Sequence, residues 1–161
     1  MLILDFDEGA HVAGVRACVV ELQDFERALD PRMPSGAEIV DEYLPYMLDR
    51  CRRCSGKVMV AEIDGQVAGF VTILARVSSD EIDDGPVEFG LVADLVVARE
   101  HRNRRIGAAL LEAAESYAQD REVNWLRIGV LAANAVADRM YAARGYETRF
   151  LMREKDLCAL K

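Results

Sequence analysis

Hydrophobic positions repeat along this chain with two different spacings, and together they predict a mixed α/β fold. Apolar residues at every third or fourth position are typical of amphipathic helices. They predict helices over residues 9–29, 37–54, 104–119 and 134–144. Short β-branched runs predict strands over residues 2–6, 57–63, 66–77, 87–97, 125–131 and 146–155. With no linker or repeat, we expect a single domain over residues 1–161 with a mostly antiparallel sheet flanked by helices.

Turn and capping residues refine this order of elements. Asp64 and Gly65 separate two β-rich runs, and an Asp-Gly pair in that position predicts a tight hairpin. Pro45 lies inside the second predicted helix and should kink or shorten it, because proline has no N–H group. Asn134 and Gly145 stand where the last helix needs an N-cap and a residue that ends it.

Size and charge limit the kinds of partner. The 161 residues suffice for one full core, and no run approaches the roughly 20 apolar residues of a membrane span. The acidic N-terminus predicts a strand instead of a signal peptide, so we expect a cytoplasmic protein without membrane attachment. A formal net charge of −8 argues against nucleic acid as a partner. It favours a cationic substrate, or it reflects solubility alone.

Cys51 and Cys54 have CxxC spacing at the end of a predicted helix. A zinc site would need a second pair or suitably spaced histidines, and His11 and His101 do not provide them. A redox pair would open a helix after a strand. We therefore expect reduced cysteines and no metal site.

The stretch over residues 91–119 combines a buried strand, a basic loop and a helix start. Four arginines lie within residues 99–105, and Gly107 follows them. Cations and free backbone N–H groups at a helix start can hold phosphate, whereas cations without an anion there would oppose the helix dipole. Asp94 interrupts the strand. Because a buried carboxylate is costly unless paired, Asp94 is either functional or bonded to a neighbouring element.

Two motifs in this half of the chain resemble those of the GNAT (Gcn5-related) N-acetyltransferases. The family's Arg/Gln-x-x-Gly-x-Gly/Ala motif reads here as Arg102-x-x-Arg105-x-Gly107. The second motif consists of Asn134, Ala137, Tyr141, Gly145 and Tyr146. The order of elements also matches the family over residues 2–155. Arg105 departs from the pattern, because it stands where the family has a glycine that eases a close approach to phosphate and permits a positive φ.

The resemblance implies the GNAT fold, with central strands that splay apart around acetyl-CoA. Leu95 and Val97 would bond the pantetheine amides in the manner of a β-ladder, and Asn134 would contact the pantetheine arm. The pyrophosphate would take N–H groups from the start of the central helix, at Arg102, Asn103, Arg104, Arg105, Ile106, Gly107 and Ala108.

The resemblance also implies direct acetyl transfer to a primary amine in a ternary complex. A backbone amide around Val96 and Val97 would stabilise the thioester oxygen. Tyr141, beside the carrier, would protonate the leaving thiolate. Asp94 is the first candidate for a general base or an ammonium anchor, and Glu88 at the start of the same strand is the second.

The acceptor stays open between a small-molecule amine and a peptide or protein amine. Phe25, Met33, Tyr43 and Tyr46 either line the acceptor site or belong to the core. The acidic loop over residues 78–86 either gathers a cationic acceptor or is simply solvated. Family members suggest a homodimer by analogy. One alternative is a catalytically silent CoA-binding sensor or interaction module. Another is an α/β nucleotide-binding domain, but the first strand lacks the glycine-rich turn that such a domain needs.

Overall fold

The computed structural model describes residues 1–79, 82 and 87–157. They fall into two compact units, one over Met1–Leu131 and one that begins at Ala132. The strands described in the first unit are β1 (Leu2–Asp5), β2 (Lys57–Ile63), β3 (Gln66–Ser78), β4 (Glu88–Val97) and β5 (Leu126–Ile128). Its helices are α1 (Glu8–Leu29), α2 (Gly36–Arg53) and α3 (Ile106–Gln119), with a 3₁₀ turn at Arg99–His101. The predicted mixed α/β class is confirmed.

The strands of the first unit form one sheet in the order β1-β2-β3-β4-β5. The first three pairings are antiparallel and the β4–β5 pairing is parallel, so the mostly antiparallel sheet is confirmed. Asp64 and Gly65 form the β2–β3 turn with φ values of 50° and 75°. Positive φ at both positions is the geometry that matches the twist of the flanking strands.

Helices cover both faces of this sheet. One face packs against α1 and α2 in a core that contains Val15, Cys18, Val19, Leu44, Met47, Cys51, Val58, Val60, Phe70, Leu74 and Val96. On the other face, α3 buries an apolar stripe against β2, β3 and β4. Leu110 and Leu111 of this stripe are both fully buried, and each such side chain contributes about 1.5–3 kcal/mol.

A β-bulge at Ala93 changes the course of β4. Asp94 pairs with Thr72, but Val92 pairs with the very next β3 residue, Ile73, so Ala93 is extra on β4. A bulge bends its strand and increases the local twist. The ladder to β5 lies entirely before the bulge, at Gly90, Leu91 and Val92. Beyond it, β4 continues along β3 alone, which is the splay that the family resemblance implied.

Helix α2 runs through Pro45 without interruption, so of the two predicted effects the shortening is wrong and the kink stays a prediction. Proline removes the hydrogen bond to the carbonyl four residues earlier, which is that of Asp41. Pro45 and Asp41 are both exposed, so water can satisfy this carbonyl.

The second unit contains α4 (Ala135–Ala143). The strand predicted over residues 146–155 is wrong, because the structure assigns no strand there. A strand needs a ladder partner, and α4 is the sole helix or strand among the described residues of this unit. Phe150, Leu151 and Met152, which suggested the strand, are largely exposed.

Two sequence features fall outside the described residues. They are Cys158 and the acids of the predicted loop, Asp80, Glu81, Asp83 and Asp84. Among the helices that are described, none is both long and apolar enough to cross a membrane.

Candidate active site

The second half of β4 presents backbone groups on an open edge. Ala98 N donates to the carbonyl of Ala68 at 3.0 Å, so this amide faces β3. Because successive residues of a strand direct their backbone groups to opposite sides, Val96 also faces β3, whereas Leu95 and Val97 face away. Within the described part of the first unit, no strand pairs with Leu95 or Val97 on that side. The structure therefore leaves these two amides for another partner.

The basic loop ends in a residue with left-handed backbone geometry. Arg105 has φ 63° and ψ 12° and is the N-cap of α3, so the helix begins at Ile106 instead of Arg104 as predicted. A non-glycine residue in this conformation costs about 1–2 kcal/mol. This is the position where the family motif has glycine, and the positive φ supplies the physical reason for that preference. The arginine side chain has no acceptor, so the first turn lacks a side-chain cap.

The loop arginines have different roles. Arg102 Nε donates to the carbonyl of Val97 at 3.0 Å, and its guanidinium lies 3.8 Å from Glu21 and 5.7 Å from the ring centroid of Phe25. Arg102 therefore ties the loop to β4 and α1. Arg104 lies 3.3 Å from His101 Nδ1 and is exposed, as is Arg105.

The start of α3 fits an anionic group. Two exposed guanidinium groups, of Arg104 and Arg105, lie beside the positive end of the helix dipole. Without an anion, these charges repel the dipole. A phosphate would be attracted by both and would accept from the uncapped N–H groups of Ile106 and Gly107. Asn103, also in a left-handed conformation with φ 61°, turns the loop toward this helix start.

Asp94 is buried on the face of the sheet that α1 and α2 cover. Its exposure is 5%, and Tyr43 Oη of α2 donates to Oδ1 at 2.5 Å. A narrow cleft lies here, without a cavity large enough for a water molecule. Its lining includes Tyr43, Tyr46, Met47, Arg50, Thr72, Leu74, Ala93 and Asp94. Two of the four side chains expected either at the acceptor site or in the core, Tyr43 and Tyr46, thus lie beside Asp94.

Burial raises the pKa of Asp94 above its ordinary value. The hydroxyl groups of Tyr43 and Thr72 and the guanidinium of Arg50 oppose that rise because they favour the carboxylate. Burial also raises the pKa of Tyr43, with Asp94 adding to the effect, so this phenol stays a proton donor.

Glu88 is distant from Asp94. It is the first residue of β4, lies exposed 3.7 Å from Arg76, and pairs with Ser78. It lies six positions before Asp94, which is about 20 Å along a strand. The two candidate bases therefore do not share one site.

Glu26 was missed in the sequence analysis. Burial raises its pKa, and the charge of Asp94 raises it further. Glu26 is partly buried and lies four residues after Leu22, on the core-facing side of α1. A carboxylate at helical spacing from that apolar stripe was the signal that could have identified it.

The second motif shapes α4 in the second unit. Asn134 Oδ1 accepts from Ala137 N at 3.2 Å, so the predicted N-cap is confirmed. Gly145, with φ 88°, ends the helix and allows Tyr146 N to donate to the carbonyl of Tyr141 at 3.1 Å. The Tyr141 and Tyr146 rings are 6.1 Å apart, and Tyr141 is 9% exposed. The roles of Asn134 and Tyr141 toward the carrier stay predictions.

The CxxC pair lies at the end of α2, as expected. Cys54 is the C-cap residue of α2. Burial raises the pKa of the Cys51 thiol to about 11. Burial likewise raises the pKa of the Cys18 thiol on α1 to about 11. Thiols this basic are poor nucleophiles near neutral pH. Over the ranges that the structure describes, no group of three potential metal ligands was found.

Comparison with known sequences identifies a family and its relatives. Residues 22–146 match the model of the Acetyltransferase (GNAT) family. A protein of Archaeoglobus fulgidus named "Uncharacterized N-acetyltransferase" is 34% identical over 112 residues, 65% of this chain and 67% of its own length. "Uncharacterized N-acetyltransferase MJ1530" of Methanocaldococcus jannaschii is 34% identical over 94 residues, 58% of this chain and 54% of its own length. The chain thus matches about half to two thirds of these relatives.

Solved structures share the fold. A Pyrococcus furiosus protein described as an acetyl transferase superposes with a TM-score of 0.73 at 24% identity, covering 97% of this chain and 99% of its own. The aminoglycoside N-acetyltransferase AAC(6')-Iy, solved with CoA, has a TM-score of 0.64 at 16% identity, with 96% and 99% covered. At these identities the likeness is one of fold. With the family model matching most of its length, this chain belongs to the Acetyltransferase (GNAT) family.

Proposed function

We propose that this protein transfers an acetyl group from acetyl-CoA to a primary amine by direct transfer in a ternary complex. The observation that carries the proposal is the open edge of β4. Leu95 and Val97 direct their amides away from β3 after the β5 ladder has ended. An extended chain with amide groups can pair with such an edge as another strand would, and pantetheine is such a chain.

The loop after this edge suits the other end of the carrier. The start of α3 offers backbone N–H groups, the helix dipole and the exposed guanidinium groups of Arg104 and Arg105. Arg102 holds the loop against Val97 and α1, so we assign it a positioning role. The edge and the helix start follow each other in the chain. One ligand with an amide arm and a pyrophosphate would therefore engage both.

The amine must lose a proton before it attacks, because alkyl ammonium groups have a pKa near 10.4. We assign the acceptance of this proton to Asp94, directly or through one water. Its raised pKa makes it a better proton acceptor than an ordinary aspartate, and Tyr43 holds it in place. Glu88, at the far and exposed end of β4, is the weaker candidate.

Two further groups serve the transfer itself. The Val97 amide is better placed than the Val96 amide to stabilise the thioester oxygen, because Val96 faces β3. The carbon–nitrogen bond forms as the carbon–sulfur bond breaks. We assign Tyr141 to donate its proton to the leaving sulfur, on the basis of its place in the second motif.

The acceptor is proposed to be a cationic amine of a small molecule or a peptide. A net charge of −8 attracts cations to the molecule as a whole. The fold-level relative that acts on aminoglycosides illustrates one such class of acceptor.

Release of the CoA thiol with acetyl-CoA and a panel of amines tests this function. The panel contains the polyamine spermidine, the aminoglycoside kanamycin and a short peptide with a lysine and a free N-terminus. We expect amine-dependent thiol release with at least one of them, and a rise in Tm with acetyl-CoA alone. A Tm rise without thiol release for any amine would favour a silent CoA-binding module. No Tm rise at saturating acetyl-CoA would refute acetyl-CoA binding itself.

A further inference from the structure

We propose that Arg127 of β5 binds a carboxylate of the acceptor, so that the acetylated amine belongs to a short peptide or an amino-acid derivative with a free carboxylate. This inference rests on the proposed function and names the acceptor class for the same site. It assigns the recognition of an anion to the β4–β5 end of the sheet.

The register of the sheet determines the face on which Arg127 lies. Leu91 of β4 pairs with Leu74 of β3 on one side and with Arg127 on the other. Residues paired across a ladder share a face of the sheet. Leu74 and Leu91 belong to the core against α1 and α2, so Arg127 lies on that face as well. This is the face on which Asp94 is found.

The β5 end of this face is accessible to a ligand. In the described part of the chain, α1 and α2 pack mainly on β2, β3 and β4, and the principal neighbour of β5 is β4. Trp125 precedes β5, and its carbonyl accepts from Gly90 N at 2.8 Å, as a parallel ladder requires. Alternation directs its side chain to the same face as Arg127, and it is 69% exposed. Tryptophan and arginine together are typical of binding surfaces.

The guanidinium of Arg127 is held in place but has no acceptor. Its Cζ lies 3.6 Å from the ring centroid of Phe89, which is 8% exposed, and Arg127 itself is half-buried. A guanidinium stacked on a ring keeps its N–H groups free at the edge of its plane. Among the described residues, Arg127 makes no hydrogen bond or ion pair. A carboxylate can accept two parallel hydrogen bonds from such a group.

The acids near Arg127 have other partners. The carboxylate form of Asp94 is favoured by the Arg50 guanidinium of α2, so it does not need Arg127. Glu88, at the start of β4, lies 3.7 Å from Arg76. The complementary anion for Arg127 would therefore come from a bound molecule. Although the net charge of −8 attracts cations to the protein as a whole, Arg127 would select those amines that also carry a carboxylate.

The position of Arg127 also indicates a length for the acceptor. Arg127 pairs with Leu91, and the open edge of β4 begins beyond Asp94, three positions or about 10 Å further along the strand. An extended peptide spans about 3.3–3.6 Å per residue. An N-terminal amine at the start of the open edge and a C-terminal carboxylate at Arg127 thus fit a peptide of roughly three residues. Arg127 holds the carboxylate and takes no part in the proton transfers.

The test uses pairs of acceptors that differ only in the carboxylate. They are trialanine with trialanine amide, and Nα-acetyl-lysine with Nα-acetyl-lysinamide. In the wild type we expect a KM about tenfold or more lower for the carboxylate than for the amide in at least one pair. Arg127→Gln should raise the KM of that carboxylate about tenfold or more, and should leave the KM values for the amide and for acetyl-CoA unchanged.

Two further variants separate binding from a structural role. Arg127→Lys keeps the charge without the planar fork, so it should restore part of the loss. Arg121→Gln is the matched control, because Arg121 Cζ lies 3.4 Å from the ring centroid of Tyr117. This variant removes an equal charge and a similar stacking contact, and it should change none of the KM values. A purely structural role of Arg127 would change the KM values of carboxylate and amide together.

The rise in Tm with trialanine or Nα-acetyl-lysine is a second readout that needs no turnover. We expect this rise in the wild type and in Arg121→Gln, and its loss in Arg127→Gln. Equal KM values within both pairs in the wild type would overturn the inference. Thiol release with spermidine or kanamycin but with neither carboxylated amine would refute this inference alone. A Tm rise that depends on Arg127, without thiol release for any amine, would refute only the transferase function.

Discussion

The two halves of β4 have the same kind of sequence but opposite environments. From Gly90 to Val92 the strand lies between β3 and β5, and its backbone completes the sheet. From Asp94 to Val97 it pairs with β3 and with no other described strand. One extra residue, Ala93, separates a half that stabilises the fold from a half whose amides are left for a ligand. The functional part of a strand is thus recognised by its missing neighbour more than by its residue types.

The largest expected effect comes from removing an open-edge amide. Val97→Pro removes an N–H that faces away from β3, so the β3 ladder keeps its bonds and the fold should persist. We expect kcat/KM to fall about 10²–10³-fold, because that amide is assigned to the thioester oxygen. Steady-state kinetics and circular dichroism measure both results.

Leu91→Pro is the control in the other half of β4. Leu91 pairs with Leu74 of β3 and with Arg127 of β5. Because Gly90 N donates toward β5, to the carbonyl of Trp125, the N–H of Leu91 faces β3 and is needed for that ladder. We expect this variant to fail to fold. A stable Leu91→Pro protein, or a fully active Val97→Pro enzyme, would contradict the distinction between the two halves.

Tyr141→Phe tests whether the second unit serves the open half. We expect kcat to fall about 10²-fold with little change in the KM for acetyl-CoA, because the proton is needed only as the thiolate leaves. Tyr117→Phe is the matched control. It removes a hydroxyl that donates to the carbonyl of Ser55 at 3.1 Å, at a cost of about 1 kcal/mol of stability and none in kcat. Equal kcat values for the two variants would exclude Tyr141 from the reaction.

Asp94→Asn tests the buried acid. We expect kcat/KM to fall about tenfold or more at neutral pH. The wild-type rate should rise with pH as Asp94 loses its proton, at a pKa above the ordinary value near 4 for aspartate. The variant should lose this limb of the pH–rate profile. A profile with the limb intact would assign the base elsewhere.

The same variant has a stability signature. The folded-state pKa of Asp94 is raised. Its contribution to the free energy of unfolding is therefore fully present below the ordinary pKa of aspartate and is lost as pH rises through the raised pKa. The free energy of unfolding of Asp94→Asn, measured in urea, should therefore increase relative to that of the wild type as pH rises from acid to neutral. A constant difference would show that the folded and unfolded pKa values are alike.

The smallest effect concerns the loop. Arg105→Gly removes the backbone strain of a non-glycine residue with positive φ, so it should stabilise the fold by up to about 1 kcal/mol. Loss of one cation should weaken acetyl-CoA binding only a few-fold. Arg104→Gly removes the same charge from a position without a positive φ, so it should weaken binding similarly without stabilising. Isothermal titration and thermal unfolding separate the two effects, and equal stabilities would argue against strain at Arg105.

Local signals in the sequence were sufficient for much of the fold. Asp64 and Gly65 determine a turn within their own two residues, and the apolar spacing of α1, α2 and α3 follows from their own helical faces. The strand predicted over residues 146–155 failed because a strand depends on a partner elsewhere, which its own residues do not specify. The predicted shortening at Pro45 failed because Asp41, whose carbonyl loses its helical hydrogen bond, is exposed and water can replace that bond.

The position of the candidate site along the chain could be predicted from the sequence, but its three-dimensional arrangement could not. The motif residues indicated where the open edge and the helix start lie, and Asp94 was recognisable as a polar residue in an apolar strand. The bulge at Ala93 carries no glycine or proline signal, because it results from the register between β3 and β4. Glu26 was missed because its meaning depends on the packing of α1 against α2 and β4.

Amide hydrogen exchange across β4, with and without acetyl-CoA, tests the central claim most directly. The account predicts that the Val96 amide exchanges slowly in both states, because it faces β3. Saturating acetyl-CoA should slow exchange at Leu95 and Val97 by about tenfold or more, since these amides gain hydrogen bonds. Unchanged exchange at Leu95 and Val97 with acetyl-CoA bound would contradict the assignment of the open edge as the place where the carrier binds.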